Sequence, residues 1–297
     1  MSWITLSLAT AFFTALAALL SKKALHYWSE PALLLCTSSM LALLLFSISG
    51  RLGGWNVSRE FFWYLPIAIG VHTSASLLML KALKASDLSL VFPLINLTPL
   101  FMFVTSPLIA SEFPRLITIP GIVLIVLGAY LLNFKAGEKK FFAPVKALWY
   151  SKGARAMVGV AFLWSLAGNF DKLGVLHSSA SVWGASVKTG VALFMLPVCL
   201  LQSQNKRKAG QAGDAGKRGK AAYALILVLP VIAAINIICN MEAYKLTLAI
   251  NVVSVKRLSA LFSVLLAWFI LREPNIRQRL VAAVIMVIGV MWVGFMS

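Results

Sequence analysis

Ten stretches of apolar residues follow one another along the chain, roughly 3–21, 32–49, 62–80, 88–110, 115–134, 155–171, 181–201, 222–241, 249–271 and 278–296. Each approaches the ~20 residues that an α-helix needs to cross the ~30 Å hydrocarbon layer of a bilayer. Backbone groups in lipid must be satisfied within their own segment, and the ~10-residue alternation of a membrane barrel is absent, so the stretches read as helices. With 60% hydrophobic and 12% charged residues among 297, a water-soluble domain would have too little interior to hide the apolar surface. The sequence therefore predicts an all-α integral membrane protein with ten transmembrane helices, multi-pass in the cell (inner) membrane. The first stretch lacks the positive n-region of a secretory signal and is read as a spanning helix.

The net charge of +18 raises two candidate partners, nucleic acid and the anionic face of a membrane. The basic residues lie between the apolar stretches, which favours membrane topology over nucleic acid. Two connections are long. Residues 135–154 form a basic linker, and 202–221, QSQNKRKAGQAGDAGKRGKA, reads as a flexible basic loop. Nineteen Lys and Arg residues fall in odd-numbered connections and five in even-numbered ones. The positive-inside rule then places odd connections in the cytoplasm and both termini outside it.

The chain repeats. Shifted by 161 residues, LMLKALKASDLSLVFPLINLTPLFMFVTSPLIASEF lies over CNMEAYKLTLAINVVSVKRLSALFSVLLAWFILREP without a gap. Ala82 meets Ala243, Lys84 meets Lys245, Leu97 meets Leu258, Glu112 meets Glu273 and Gly128 meets Gly289. Residues 1–134 and 155–297 are thus two five-helix halves. Five is odd, so the halves enter the membrane in opposite senses, an inverted repeat of the kind on which secondary transporters are built.

The best-matching pieces are LTPLFMFVTSPLIASEF followed by GIVLIVLGAYLL, and RLSALFSVLLAWFILRE followed by VIMVIGVMWVG. Each is an apolar helix with a terminal Glu, then a helix with a late Gly. In this the chain resembles EamA-type members of the drug/metabolite transporter superfamily over essentially its whole length. The resemblance implies a central cavity between the halves, lined by helices 1–4 and 6–9 with helices 5 and 10 peripheral. Lys256 and Arg257 also resemble the Lys–Arg pair that triose-phosphate and related organophosphate translocators carry in the ninth helix.

That pair is the outstanding feature of the ninth stretch. Lys256 lies about seven residues inside it, roughly 10 Å past its start. Two cations at that depth cost about 5–7 kcal/mol on the insertion scale, which calls for a use or a partner. Lys256 shares a small and polar stripe with Ser259, Ala260, Ser263 and Ala267, whereas Arg257 points about 100° away. Lys256 is the stronger candidate for a solute contact, and Arg257 is a second contact or a snorkelling anchor. The alternative for both is snorkelling or a structural ion pair.

Other polar residues gather in the second half. Asn236, Asn240 and Tyr244 form an i, i+4, i+8 stripe, and Ser165 and Asn169 share a face beside Trp164. Each is a candidate solute contact, with interhelical hydrogen bonding as the alternative. Lys188 faces either the cavity or, by snorkelling, the interface. In the first half, Pro93 and Pro99 free backbone carbonyls in the fourth stretch, as a gate or as a kink alone. His72 could carry a proton or be packed and hydrogen-bonded. Asp171 with Lys172, and Glu242 with Lys245, read as ion pairs near helix ends, and Glu112 and Glu273 as structural residues at helix junctions.

The three cysteines form no CxxC pair and the three histidines are scattered, so no metal site and no cofactor are expected. No cluster of His, Asp, Ser or Cys and no nucleotide-binding loop marks an enzyme. The sequence points instead to a secondary transporter that moves a small anionic or zwitterionic metabolite by alternating access. A lipid-carrier flippase, a multidrug or amino-acid exporter of the same fold, and an integral-membrane enzyme are the alternatives. The expected partners are a small-molecule substrate and the lipid bilayer, without nucleic acid; monomer and homodimer both stay open.

Overall fold

The computed structural model describes residues 2–49, 57–111, 113, 116–132, 150–208, 220–273 and 276–296. Most of the basic linker, the centre of the 202–221 loop and Glu112 lie outside the described residues. The described chain is helical, with no strand. Its elements are α1 (Trp3–Ala24), α2 (Glu30–Ser49), α3 (Phe61–Ala85), α4 (Leu88–Val91), a 3-10 stretch (Phe92–Leu97), α5 (Thr98–Ile109), a 3-10 turn (Leu116–Thr118) and α6 (Ile119–Leu132). The second half continues with α7 (Lys152–Leu176), α8 (Ala180–Lys208), α9 (Lys220–Leu246), α10 (Ala249–Lys256), α11 (Ser259–Leu266), a π-helical turn (Ala267–Leu271) and α12 (Ile276–Met296).

Seven of the helices among the described residues are long and apolar enough to cross a membrane, and Leu116–Gly128 and Ser259–Leu271 are shorter apolar ones. Large apolar side chains stand on the outer surface of nearly every helix, Leu43, Trp63, Leu108, Leu193 and Phe269 among them. A surface of that kind is suited to lipid and not to water. The chain is a multi-pass membrane protein.

The fourth and ninth apolar stretches are broken rather than continuous. In the fourth, Pro93 and Pro99 each lack an N–H and crowd the carbonyl four residues back. The chain answers with i→i+3 bonding over Phe92–Leu97 between α4 and α5. The Ile95 carbonyl, which Pro99 cannot reach, accepts instead from the Thr98 N–H and from Thr98 Oγ1 at 2.7 Å. In the ninth stretch the α-helix stops at Lys256. Leu258 N bonds Val255 O at 3.1 Å and Ala260 N bonds Arg257 O at 3.0 Å, both three-residue closures. Residues 92–97 and 253–258 correspond at the 161-residue shift, so the two breaks occupy equivalent places.

The equivalence extends further. The non-glycine residues with positive φ among the described residues are Ser111 and Arg272, both at 54°, again 161 apart. Packing between the halves also maps onto itself when they are exchanged. Helix α1 packs on α9 as α7 packs on α3, and α5 meets α7 as α11 meets α1. Helices α2 and α8 face each other, as do α6 and α12. The α6–α12 crossing depends on glycine. A Cβ on Gly289 would lie 2.5 Å from the Gly121 carbonyl, and one on Gly128 would lie 2.8 Å from the Ala282 carbonyl. Small residues let helix backbones approach this closely.

Glu273 ties the halves together. Its carboxylate accepts from the Leu88 and Ser89 N–H groups at 2.9 Å each, from Ser89 Oγ and from Lys22 at 3.1 Å. Arg279 lies 3.4 Å from the same carboxylate, 2.9 Å from Asp87, and in contact with Ser89 Oγ. Burial pushes the Glu273 carboxyl upward, but the Ser89 bonds and the Lys22 charge prevail and hold it below the usual carboxylate range. The expected junction role for Glu273 is what this geometry displays.

Candidate functional site

A cavity of about 200 Å³ lies between the halves. Its wall draws on α1, α2, α3, the 3-10 stretch, α7, α8, α9, α10 and the turn after it, and on neither α6 nor α12. This volume is below the ~300–1,000 Å³ of pockets for drug-sized ligands, which fits a small solute better than a bulky one.

The broken ninth stretch supplies the charge. Lys256 ends α10, Arg257 begins the turn, and both line the cavity. The 100° separation of a straight helix does not part them, because the helix stops there. Arg257 is 3% exposed, and its Nε has no hydrogen-bond partner. Lys188, on α8, lines the same cavity and acts on Lys256 as a like charge. Its cavity-facing alternative is therefore the observed one.

The polar residues of α9 divide their tasks. Asn236 donates to the Thr10 carbonyl at 2.9 Å and to Thr14 Oγ1 at 2.7 Å, so it both lines the cavity and binds α9 to α1. Asn240 lines the cavity with its Oδ1 buried and unpartnered. Tyr244 is buried in the wall beside Gly168 and within electrostatic reach of Arg257. Trp164 lines it with an unpartnered indole N–H and meets His72 edge-on, ring centres 5.3 Å apart. Asn169 stands elsewhere. Its amide is spent on Ser106 Oγ at 2.9 Å, Thr105 Oγ1 at 3.2 Å and the Ser165 carbonyl at 2.9 Å, binding α7 to α5. It is fully buried and absent from the cavity wall. Pro93 is buried in the 3-10 stretch and Pro99 opens α5, neither in the wall.

Asp171 needs correcting. Sequence reading puts it near a helix end with Lys172, yet it is 4% exposed and lines the cavity. Its Oδ1 is 3.0 Å from His72 Nε2 and accepts from Trp183 Nε1 at 2.8 Å. A deep carboxylate is therefore present. Trp164, Gly168 and Asp171 follow i, i+4, i+7 and share one helix face. Extending that stripe past Trp164 was the signal that would have found Asp171. Lys188 and Lys256 are thus within electrostatic reach of one carboxylate, itself 3.0 Å from His72.

No curated protein matches this chain. A solved structure described only as the crystal structure of a protein is similar, with a TM-score of 0.64 and 17% sequence identity over 98% of this chain and 94% of that one. That likeness concerns the fold. The family model described as the EamA-like transporter family matches twice, over residues 1–134 and 151–295, so each half is one copy of the repeat. With both halves matched and a cavity enclosed between them, this chain belongs to the EamA-like transporter family of membrane transporters.

Proposed function

We propose that the protein is a secondary transporter of ten membrane crossings in the inner membrane. It carries a small anionic or zwitterionic solute through the cavity by alternating access. The observation that carries this reading is the wall itself, where Lys188, Lys256 and Arg257 outnumber the single carboxylate Asp171. Buried cations attract carboxylate and phosphate oxygens and repel cationic drugs. The unpartnered Asn240 Oδ1 and Trp164 Nε1 are an acceptor and a donor that a bound solute would satisfy. The breaks at 92–97 and 253–258 offer paired hinges, and Pro93 and Pro99 give the first of them its bend. The imbalance of basic residues supports termini outside the cytoplasm.

The test is a thermal-shift screen of purified protein against carboxylates, organophosphates, amino acids and cations, repeated with Lys256→Gln. A ligand that binds only the folded state raises the melting temperature. The expected result is stabilisation by a carboxylate or phosphate compound in the wild type that the variant loses. Equal stabilisation of both proteins, or a response to cations alone, would contradict the proposal.

A further inference from the structure

We infer that Lys22 and Glu273 form the clasp that shuts the cavity at the end carrying the odd-numbered connections, and that it releases when solute passes that end. The inference rests on the transport reading above and adds to it the contact that has to break.

The parts that the clasp joins are visible in the packing. Helix α1 lies against α9 and α11, and α7 lies against α3 and α5, so these helices form two groups of three, each drawn from both halves. The cavity lies between the groups. Ser21 of α1 and Asn240 of α9 line it from one, and Met79 of α3 and Trp164 of α7 from the other. Alternating access requires the groups to separate at each end in turn. Ser21 is three residues from the end of α1 at Ala24, about 4.5 Å along the helix axis. The cavity therefore stops less than one helical turn short of the odd end.

Lys22 is the next residue, and it bridges the groups. Its ammonium donates to the Ser86 carbonyl of the α3–α4 turn at 2.9 Å and to Glu273 Oε1 at 3.1 Å. Glu273 follows the π-helical turn that extends α11, and it accepts from the Leu88 and Ser89 N–H groups and from Ser89 Oγ. Lys22 and Glu273 thus belong to the α1 group, while Ser86, Leu88 and Ser89 lead from α3 towards α5 in the other. Arg279 of α12 adds an attachment to the same turn through Asp87 and Ser89. The turn is seated in its own group, since a Cβ on Gly153 at the start of α7 would overlap the Ser86 side chain. The Lys22 and Glu273 side chains are 18% and 7% exposed, so the bonds are largely shielded from water and stronger than surface pairs. When the groups part at this end, water reaches both charges and replaces the lost bonds, so the clasp opens without stranding a buried ion.

The experiment reads access to the cavity from each face of the membrane, in full-length protein whose three cysteines, Cys36, Cys199 and Cys239, are replaced by alanine. Met79→Cys places one thiol in the cavity wall. A membrane-impermeant thiol reagent is added to right-side-out and to inside-out vesicles. Lys84→Cys, at a side chain 53% exposed beside the same turn, reports which face carries the odd-numbered connections. Lys22→Met and Ser89→Ala should each raise labelling of Met79→Cys from the odd face about tenfold, the size of one lost charge-assisted hydrogen bond, and lower it from the even face. Lys22→Arg keeps donor and charge and should leave both rates near those of the parent protein. Unchanged rates in Lys22→Met and Ser89→Ala overturn the inference, because the contact is then incidental to opening. A rise from both faces with a lower melting temperature overturns it too, because the contact is then purely structural. No solute is added, so loss of the oxyanion response in the thermal-shift screen would be a separate failure, of the transport reading alone.

Discussion

Lys256 stands among like charges in the cavity wall. It shares the cavity with Arg257 and Lys188, two like charges, and Asp171 offsets only part of their repulsion. A site arranged for a solute carries such strain as a cost of function. Lys256→Gln is therefore expected to raise the melting temperature of the ligand-free protein by a few degrees, about 2–4 °C for each kcal/mol relieved. A fall in melting temperature would mean that Lys256 is a structural partner. Glu273 presents the opposite case. Its side chain is 7% exposed and gathers Lys22, Arg279, Ser89 and two backbone N–H groups. Breaking a buried pair of this kind costs roughly 3–5 kcal/mol. Glu273→Gln should lower the melting temperature strongly, whereas Lys84→Ala, which breaks a pair 53% exposed on its lysine side, should change little. Because the folded protein holds the Glu273 carboxyl low, its contribution is present above 4.5 and is lost as pH falls below that value. An acid-side decline in melting temperature, shallower in Glu273→Gln than in the wild type, is the outcome to measure.

At the scale of elements, the breaks and the glycine crossing decide the architecture. Helices α6 and α12 meet through Gly121, Gly128 and Gly289 and leave the cavity to the other elements. Gly289→Val should force these backbones apart and cost roughly 1–3 kcal/mol by overpacking. Any ligand response should keep its Lys256 dependence, because the variant is remote from the wall. A melting curve with and without ligand checks both statements. Sequence legibility also differs between the two breaks. Pro93 and Pro99 announce the fourth. The ninth carries no proline or glycine between 253 and 260 and reads as continuous, so only its register with the fourth marks it. Lys256 and Arg257 were legible because charge in an apolar run is conspicuous. Asp171 was not, because it lies beside Lys172 at the end of its run and resembles a surface pair. Asn169 was misleading in the other direction: helical spacing puts it beside Trp164, but it cannot say that Thr105 and Ser106 occupy its amide.

For the whole molecule, the two halves share one packing plan, and the cavity lies where the plan meets itself. The Glu273 cluster joins the α1 end, the α3–α4 turn and the start of α12, all on the side of the odd-numbered connections. The two-copy organisation was legible in the sequence, since 161 residues of shift carry Glu112 to Glu273 and Gly128 to Gly289. What the repeat could not give is the content of the cavity, because its polar residues are concentrated in the second half and their first-half mates Ala75, Met79 and Leu83 are apolar. We propose that this cavity moves small anionic or zwitterionic solutes. Proteoliposomes filled with a metabolite extract, opened to exchange and then profiled by mass spectrometry, test it directly. Loss of carboxylate- or phosphate-bearing compounds from vesicles with wild-type protein, and their retention with Lys256→Gln, is the predicted result. Loss of cationic or neutral compounds instead, or the same profile for both proteins, would contradict it.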